Sequence, residues 1–154
     1  RQRGIVVCVA AGNNDQDGRV EAPATSPTAI AVSVTFQYLG FELLAPYSSH
    51  GPEIWVAAPA NFLWSTTKKS YAADYTEAYR LFNGTSAAAP FVAGVAALIN
   101  AKYGSGDAEQ DTASWADRVK WRLAETADDL GPPGFDPFYG HGRVNARRAI
   151  TADW

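Results

Sequence analysis

The run at residues 86–100 constrains the fold more than any other stretch of this chain. It reads Ser-Ala-Ala-Ala-Pro-Phe-Val-Ala-Gly-Val-Ala-Ala-Leu-Ile-Asn, nearly all apolar and mostly small. A helix that is apolar all round is a buried one, and small side chains let it lie close against a sheet. Pro90 falls in or just after the first turn, where a missing N–H does little harm. Gly104 closes the segment. A buried helix needs covering layers, so the rest of the chain must supply them.

Strands are the expected cover. Residues 4–10 form a continuous apolar run, as in a strand covered on both faces. The run ends in the turn-forming cluster Ala11-Gly12-Asn13-Asn14-Asp15. Residues 29–35 read as a second strand and residues 54–57 as a third, with Pro59 as its stop. The mixed segment 36–49 has room for another short strand. Residues 115–127 predict an amphipathic helix with Trp115, Val119 and Leu123 on one side. Gly131-Pro132-Pro133-Gly134 is a firm break, and residues 145–151 form a final short helix. Tyr71, Tyr75 and Tyr79 stand at the spacing of one helix face. They fit an aromatic-rich loop or partly ordered insertion as well, and the loop is preferred. Strands alternating with helices give an α/β fold with a parallel sheet flanked by helices.

Composition narrows the partners. Hydrophobic residues make up 47% and charged residues 19%, enough to bury a core. The formal net charge is -3 and no basic block occurs, so no nucleic acid is expected as a partner. The apolar runs are too short to span a bilayer, no membrane partner is expected, and no signal peptide is visible. Cys8 is the only cysteine, which leaves no internal disulfide and no cysteine-based zinc site. Inside an apolar strand it is expected to be a packing residue. The chain has no methionine, starts at Arg1 and enters its first strand almost at once. These features suggest a piece of a longer protein, the alternative being a mature chain whose leader was removed.

Two places carry chemistry. Asn83-Gly84-Thr85-Ser86 runs straight into the apolar helix. A serine at a helix's first turn faces unpaired backbone N–H groups and the positive end of the dipole, and such groups stabilise an oxyanion beside it. Gly84 permits a turn that other residues resist. A serine there also serves as an ordinary N-cap, and the residues alone leave both readings open. The second place is Asn13, just past the end of a buried strand, where sites of open α/β sheets lie. Its amide can donate to an oxyanion, or it can simply be a turn asparagine. Asn83-Gly84-Thr85 formally reads as a glycosylation sequon, which inside such a loop is accidental.

Taken together, these residues resemble the subtilase family of serine proteases. Gly84-Thr85-Ser86-Ala87-Ala88-Ala89-Pro90 is similar to its nucleophile motif, and Ala11-Gly12-Asn13 to the segment holding its oxyanion asparagine. Tyr47-Ser48-Ser49-His50-Gly51-Pro52, Val56-Ala57-Ala58-Pro59 and Tyr139-Gly140-His141-Gly142-Arg143-Val144-Asn145-Ala146 resemble later motifs of the family in the same order. The resemblance implies that residues 1–154 are the C-terminal part of a subtilase catalytic domain. It implies peptide-bond hydrolysis through an acyl-enzyme on Ser86, with Asn13 and the Ser86 N–H holding the oxyanion. Gly12 and Glu21 are implied at the substrate site. Glu21 would sit near the bottom of the primary specificity pocket and favour a basic residue, although it also reads as a plain surface carboxylate. A polypeptide substrate, secretion and structural calcium follow at the level of the family. No acidic loop is clear enough to name a calcium site, and Asp128-Asp129 reads as a solvated helix end.

The chain departs from the family pattern in one respect. The catalytic aspartate and histidine motifs precede the asparagine segment in subtilases, and here nothing before Gly4 matches them. The two histidines, His50 and His141, fall in other motifs. Pairing His141 with Asp136 in the order of α/β-hydrolases fails, because those enzymes present serine in a G-x-S-x-G elbow. The expected aspartate and histidine therefore come from an N-terminal half of the same domain, and the isolated chain is expected to be inactive. The alternative is a pseudoenzyme or binding scaffold of the same fold. The tyrosine-rich insertion before the nucleophile either shapes substrate access or decorates the surface, and decoration is the preferred reading.

Overall fold

The computed structural model describes residues 4–14, 19–67, 79–104 and 112–153. In chain order the elements are β1 (Cys8–Ala10), β2 (Ile30–Tyr38), β3 (Phe41–Leu44), β4 (Ile54–Pro59), β5 (Leu63–Thr66), β6 (Tyr79–Phe82), α1 (Thr85–Tyr103), α2 (Thr112–Glu125) and α3 (Ala146–Thr151).

The main sheet is organised around β2. On one edge β1 runs parallel to it, with Cys8 beside Ile30 and Ala10 beside Val32. On the other edge β4 runs parallel along residues 31–35 of β2. Beyond the end of β1, β3 takes over that edge in antiparallel register, with Thr35 beside Leu44 and Tyr38 beside Phe41.

Alternation along β2 decides which side chains meet the helices. Ile30, Val32 and Val34 join a core with Ala88, Val92, Val95 and Ile99 of α1 and Val119 and Leu123 of α2. Ala31 faces the other way into a smaller cluster with Ala11, Val20, Ala24 and Ile54. The polar members of that second face are satisfied: Ser33 Oγ donates to Phe138 O at 2.8 Å, and Thr35 Oγ1 to Glu42 Oε1 at 2.6 Å.

The α/β architecture expected from the sequence holds, with several corrections. The first strand is shorter than the apolar run, because pairing with β2 starts only at Val7, whose carbonyl accepts from Ile30 N. Ile5 and Val7 are exposed instead of covered on both faces. The antiparallel β3 arises because β2 continues past the core to Tyr38 and turns through Leu39 and Gly40, both at positive φ (48° and 85°), as a tight hairpin requires. β4 runs past residue 57 to Pro59, which pairs with Thr35 and ends the strand as expected. The preferred loop before the nucleophile is also corrected in part. Tyr79 starts β6, which pairs antiparallel with β5 in a separate hairpin. Tyr71 and Tyr75 lie outside the described residues.

Asp129 is exposed as expected, but Asp128 is no solvated helix end. Asp128 accepts from Arg143 Nη2 at 2.6 Å, Asn145 Nδ2 at 2.9 Å and Arg148 Nη1 at 3.2 Å. Its backbone N–H and C=O both bond to Arg143, at 2.8 Å each. The segment held this way is bound to β4 through Val144 N to Ala57 O and Ala57 N to Gly142 O, both at 2.9 Å. Burial pushes the Asp128 carboxyl up, but hydrogen bonds from Arg143, Asn145 and Arg148 outweigh it and hold the group below its ordinary value. A depressed carboxylate stabilises the fold above its unfolded pKa, about 3.9, and that contribution fades as pH falls through the lower folded value. Asp128→Asn is therefore expected to lower unfolding free energy by about 1–3 kcal/mol at pH 7. Denaturant titrations should show the gap to wild type narrowing below about pH 4.

Candidate functional site

Two chain segments converge where β1 ends and α1 begins. Leaving β1, the backbone is fixed residue by residue. Ala11 N donates to Val32 O at 3.0 Å, Glu21 N to Ala11 O at 2.8 Å and Ser49 N to Gly12 O at 3.0 Å. Asn14 N donates to Ser49 Oγ at 3.3 Å. Gly12 has φ 114°, and a Cβ there would lie 2.6 Å from Glu21 Cδ. Only glycine allows this conformation and this approach at once.

The second segment is the start of α1. Its N-cap is Gly84, at φ 122° and ψ 160°, with no side-chain cap of its own. A Cβ on Gly84 would lie 3.3 Å from Asn13 Oδ1. The cap comes from across the site: Asn13 Oδ1 accepts from Thr85 N at 2.9 Å and from Thr85 Oγ1 at 3.1 Å. Thr85 Oγ1 in turn accepts from Gly12 N at 3.2 Å. One buried hydroxyl thus bonds both neighbours of the Gly12–Asn13 peptide and fixes which end of the Asn13 amide is which.

That arrangement leaves two donors over. The first four N–H groups of a helix lack intrahelical partners. Here Thr85 N goes to Asn13, while Ala87 N and Ala88 N go to Gly84 O at 2.9 and 3.3 Å. The Ser86 N–H has no acceptor among the described residues, and neither has Asn13 Nδ2. The Ser86 side chain, on the second helical residue, is exposed. Ser86 is therefore not the N-cap, which removes the ordinary-cap reading. The roles of Thr85 and of Gly84 as the cap escaped the sequence reading, although both residues stood inside the motif it singled out.

The other candidates lie apart from this pair. Glu21 is exposed, with its side chain over Gly12. His50 packs on Phe138 with ring centroids 4.8 Å apart. His141 is surrounded by Trp55, Phe135 and Trp121 at 4.6, 5.2 and 5.8 Å. Burial and then the Lys120 charge push its pKa down. Ser86 has no hydrogen bond to either histidine among the described residues. Cys8 is half-buried with its thiol pushed up to about 11 by burial, so it stays protonated. Among the described residues no group of three or more His, Cys, Asp or Glu is positioned to hold a metal ion. No residue here is assigned to calcium.

One side of the site is open. Among the described residues β1 pairs only with β2. Beside its free edge lies a groove of about 260 Å³ lined by Val6, Cys8, Ala93, Ala97 and Trp115, among others. Phe91 and Leu98 of α1 are 40% and 48% exposed, so the apolar helix is buried on one face only.

Comparison with known proteins places this geometry in a wider set. A model of the subtilase family matches residues 1–142. Subtilisin DY of Bacillus licheniformis is 37% identical over 150 residues, covering 95% of this chain and 47% of its own length. An extracellular protease of Xanthomonas campestris pv. campestris is 35% identical over 150 residues, 97% of this chain and 24% of its own. The crystal structure of fervidolysin from Fervidobacterium pennivorans, described as a keratinolytic enzyme related to subtilisin, superposes with a TM-score of 0.80 at 29% identity. It covers 97% of this chain and 23% of fervidolysin. The chain spans less than half the length of these relatives.

The site makes a structural prediction independent of activity. Thr85→Val keeps the shape but leaves the Gly12 N–H without its acceptor and Asn13 Oδ1 without one of two donors. A loss of about 1–3 kcal/mol in unfolding free energy is expected, measured by denaturant titration.

Proposed function

The chain belongs to the subtilase family, and on that premise we propose that it is the nucleophile-bearing C-terminal part of a serine endopeptidase domain. Ser86 attacks the scissile carbonyl of a polypeptide substrate and carries the acyl group. Asn13 Nδ2 and the Ser86 N–H receive the oxyanion of the tetrahedral intermediate. The single observation behind this assignment is the pair of donors left without acceptors, one on each side of the Asn13–Thr85 contact. A histidine takes the serine proton and an aspartate orients it. Both come from an N-terminal half of the same domain, since neither His50 nor His141 bonds to Ser86. The free edge of β1 and the exposed Phe91 and Leu98 on α1 are the surfaces that half would cover. On this reading the chain alone is inactive.

Relatives named as extracellular proteases support an extracytoplasmic location. Among the described residues no helix is long and apolar enough to cross a membrane.

The primary specificity pocket is assigned to Gly12 and Glu21. Glu21 lies one side chain away from the oxyanion segment, its carboxyl group over the Gly12 backbone. A carboxylate there favours arginine or lysine before the scissile bond by a charge-assisted hydrogen bond. Glu21→Gln is expected to lower the preference for arginine over phenylalanine substrates roughly tenfold or more. Unchanged relative rates would remove Glu21 from the pocket.

Fluorophosphonate labelling followed by mass spectrometry tests the nucleophile. Ser86 is expected to label in the longest isolable form and not in residues 1–154 alone. No labelling in either form would favour the pseudoenzyme. In the active form Asn13→Ala is expected to cut turnover by about 10²–10³-fold with little change in KM, a magnitude taken from subtilisin itself.

A further inference from the structure

One face of the β5–β6 hairpin is largely apolar and exposed. The register sets Trp64 beside Leu81 and Thr66 beside Tyr79, so these four side chains share a face. Trp64 is 68%, Tyr79 61% and Leu81 46% exposed. The opposite face carries Leu63 and Phe82, Ser65 and Arg80. A contiguous apolar face on a two-stranded hairpin is unusual on a protein surface and marks a contact site.

Its position says what the contact is. β6 runs directly into Asn83, Gly84, Thr85 and Ser86. The five residue steps from Leu81 to Ser86 span at most about 18 Å, and an extended peptide advances about 3.3 Å per residue. The apolar face therefore begins within reach of a substrate side chain about five residues, or fewer, from the scissile bond. The base of the hairpin is also fixed to the site. Asn83 Oδ1 accepts from Phe62 N at 2.5 Å, and Tyr47 Oη donates to Asn61 Oδ1 at 2.8 Å. Tyr47 precedes Ser48 and Ser49, and the Ser49 N–H holds Gly12 O. The hairpin and the oxyanion segment are thus anchored to one turn. Phe62 is held at φ 58°, a conformation a free phenylalanine seldom adopts.

We propose that the face formed by Trp64, Leu81 and Tyr79 is a distal subsite that takes an apolar side chain of the polypeptide substrate. The proposal rests on the endopeptidase reading above. It replaces the view of this region as surface decoration with a role in substrate choice. The four side chains of the face include no carboxylate, ammonium or guanidinium group. The subsite therefore selects on apolar area and rejects charged residues.

The test uses the form of the protein that labels with fluorophosphonate. Internally quenched peptides share one core around the scissile bond and carry leucine or serine at successive positions out to about five residues on either side. Wild type is expected to prefer leucine at one distal position by roughly tenfold in kcat/KM. Trp64→Ser, and independently Leu81→Asn, should reduce that ratio towards one. Arg80→Ala on the opposite face should leave it intact. A wild type that cleaves the core with no distal preference, or a preference that survives both substitutions, overturns the subsite alone. A dimer in sedimentation that Trp64→Ser dissolves identifies a second copy as the occupant and overturns it too. A wild type that neither labels nor cleaves overturns the protease reading and the subsite with it.

Discussion

The contact between Asn13 and Thr85 is the constraint on which the rest of the site depends. It joins residues 72 apart in sequence and does two jobs with one amide. The Asn13 carbonyl oxygen caps a helix whose own N-cap, Gly84, has no side chain to offer. That bond fixes the amide's rotation, so the Nδ2 end is the one left without an acceptor among the described residues. The remaining orphan N–H of the helix then belongs to the serine itself. The Thr85 N–H and hydroxyl together give the two donors a shared reference.

The packing around this contact explains why it stays in place. β2 is bordered by parallel strands on both edges and buried from Ile30 to Thr35. The helix that carries Ser86 rests on it through alanine, valine and isoleucine, with no long side chain to hold it away. The serine is mobile only as far as this interface lets it be, and close-packed interfaces give little. The Asp128 cluster does the corresponding work at the far end, pinning the terminal motif against β4 through partners on both sides of it.

Much of this was legible in the sequence, and the exceptions share a cause. The apolar helix, the strand before Asn13 and the order of motifs were read from local pattern. The function of Thr85 was not, because a hydroxyl's partners depend on which distant segment meets it. Asp128 looked solvated because no basic residue stands close to it in sequence; Arg143 and Arg148 arrive only by folding. The β5–β6 pairing was missed for the same reason, its strands being separated by a long aromatic stretch. The sequence also overstated the first strand. Apolar content at Ile5 and Val7 does not bury residues that lack a neighbouring strand.

The origin of the helix cap has a consequence for the order in which the molecule matures. A capping residue next to its helix is present as soon as the helix forms. Here the cap arrives from 72 residues away, so it forms only after the strand segment and the helix have docked, against the entropy of closing a long loop. A partly folded chain therefore carries the serine without the oriented amide. Competence of the site is coupled to completion of the fold, and local fraying at either segment would switch off both donors together.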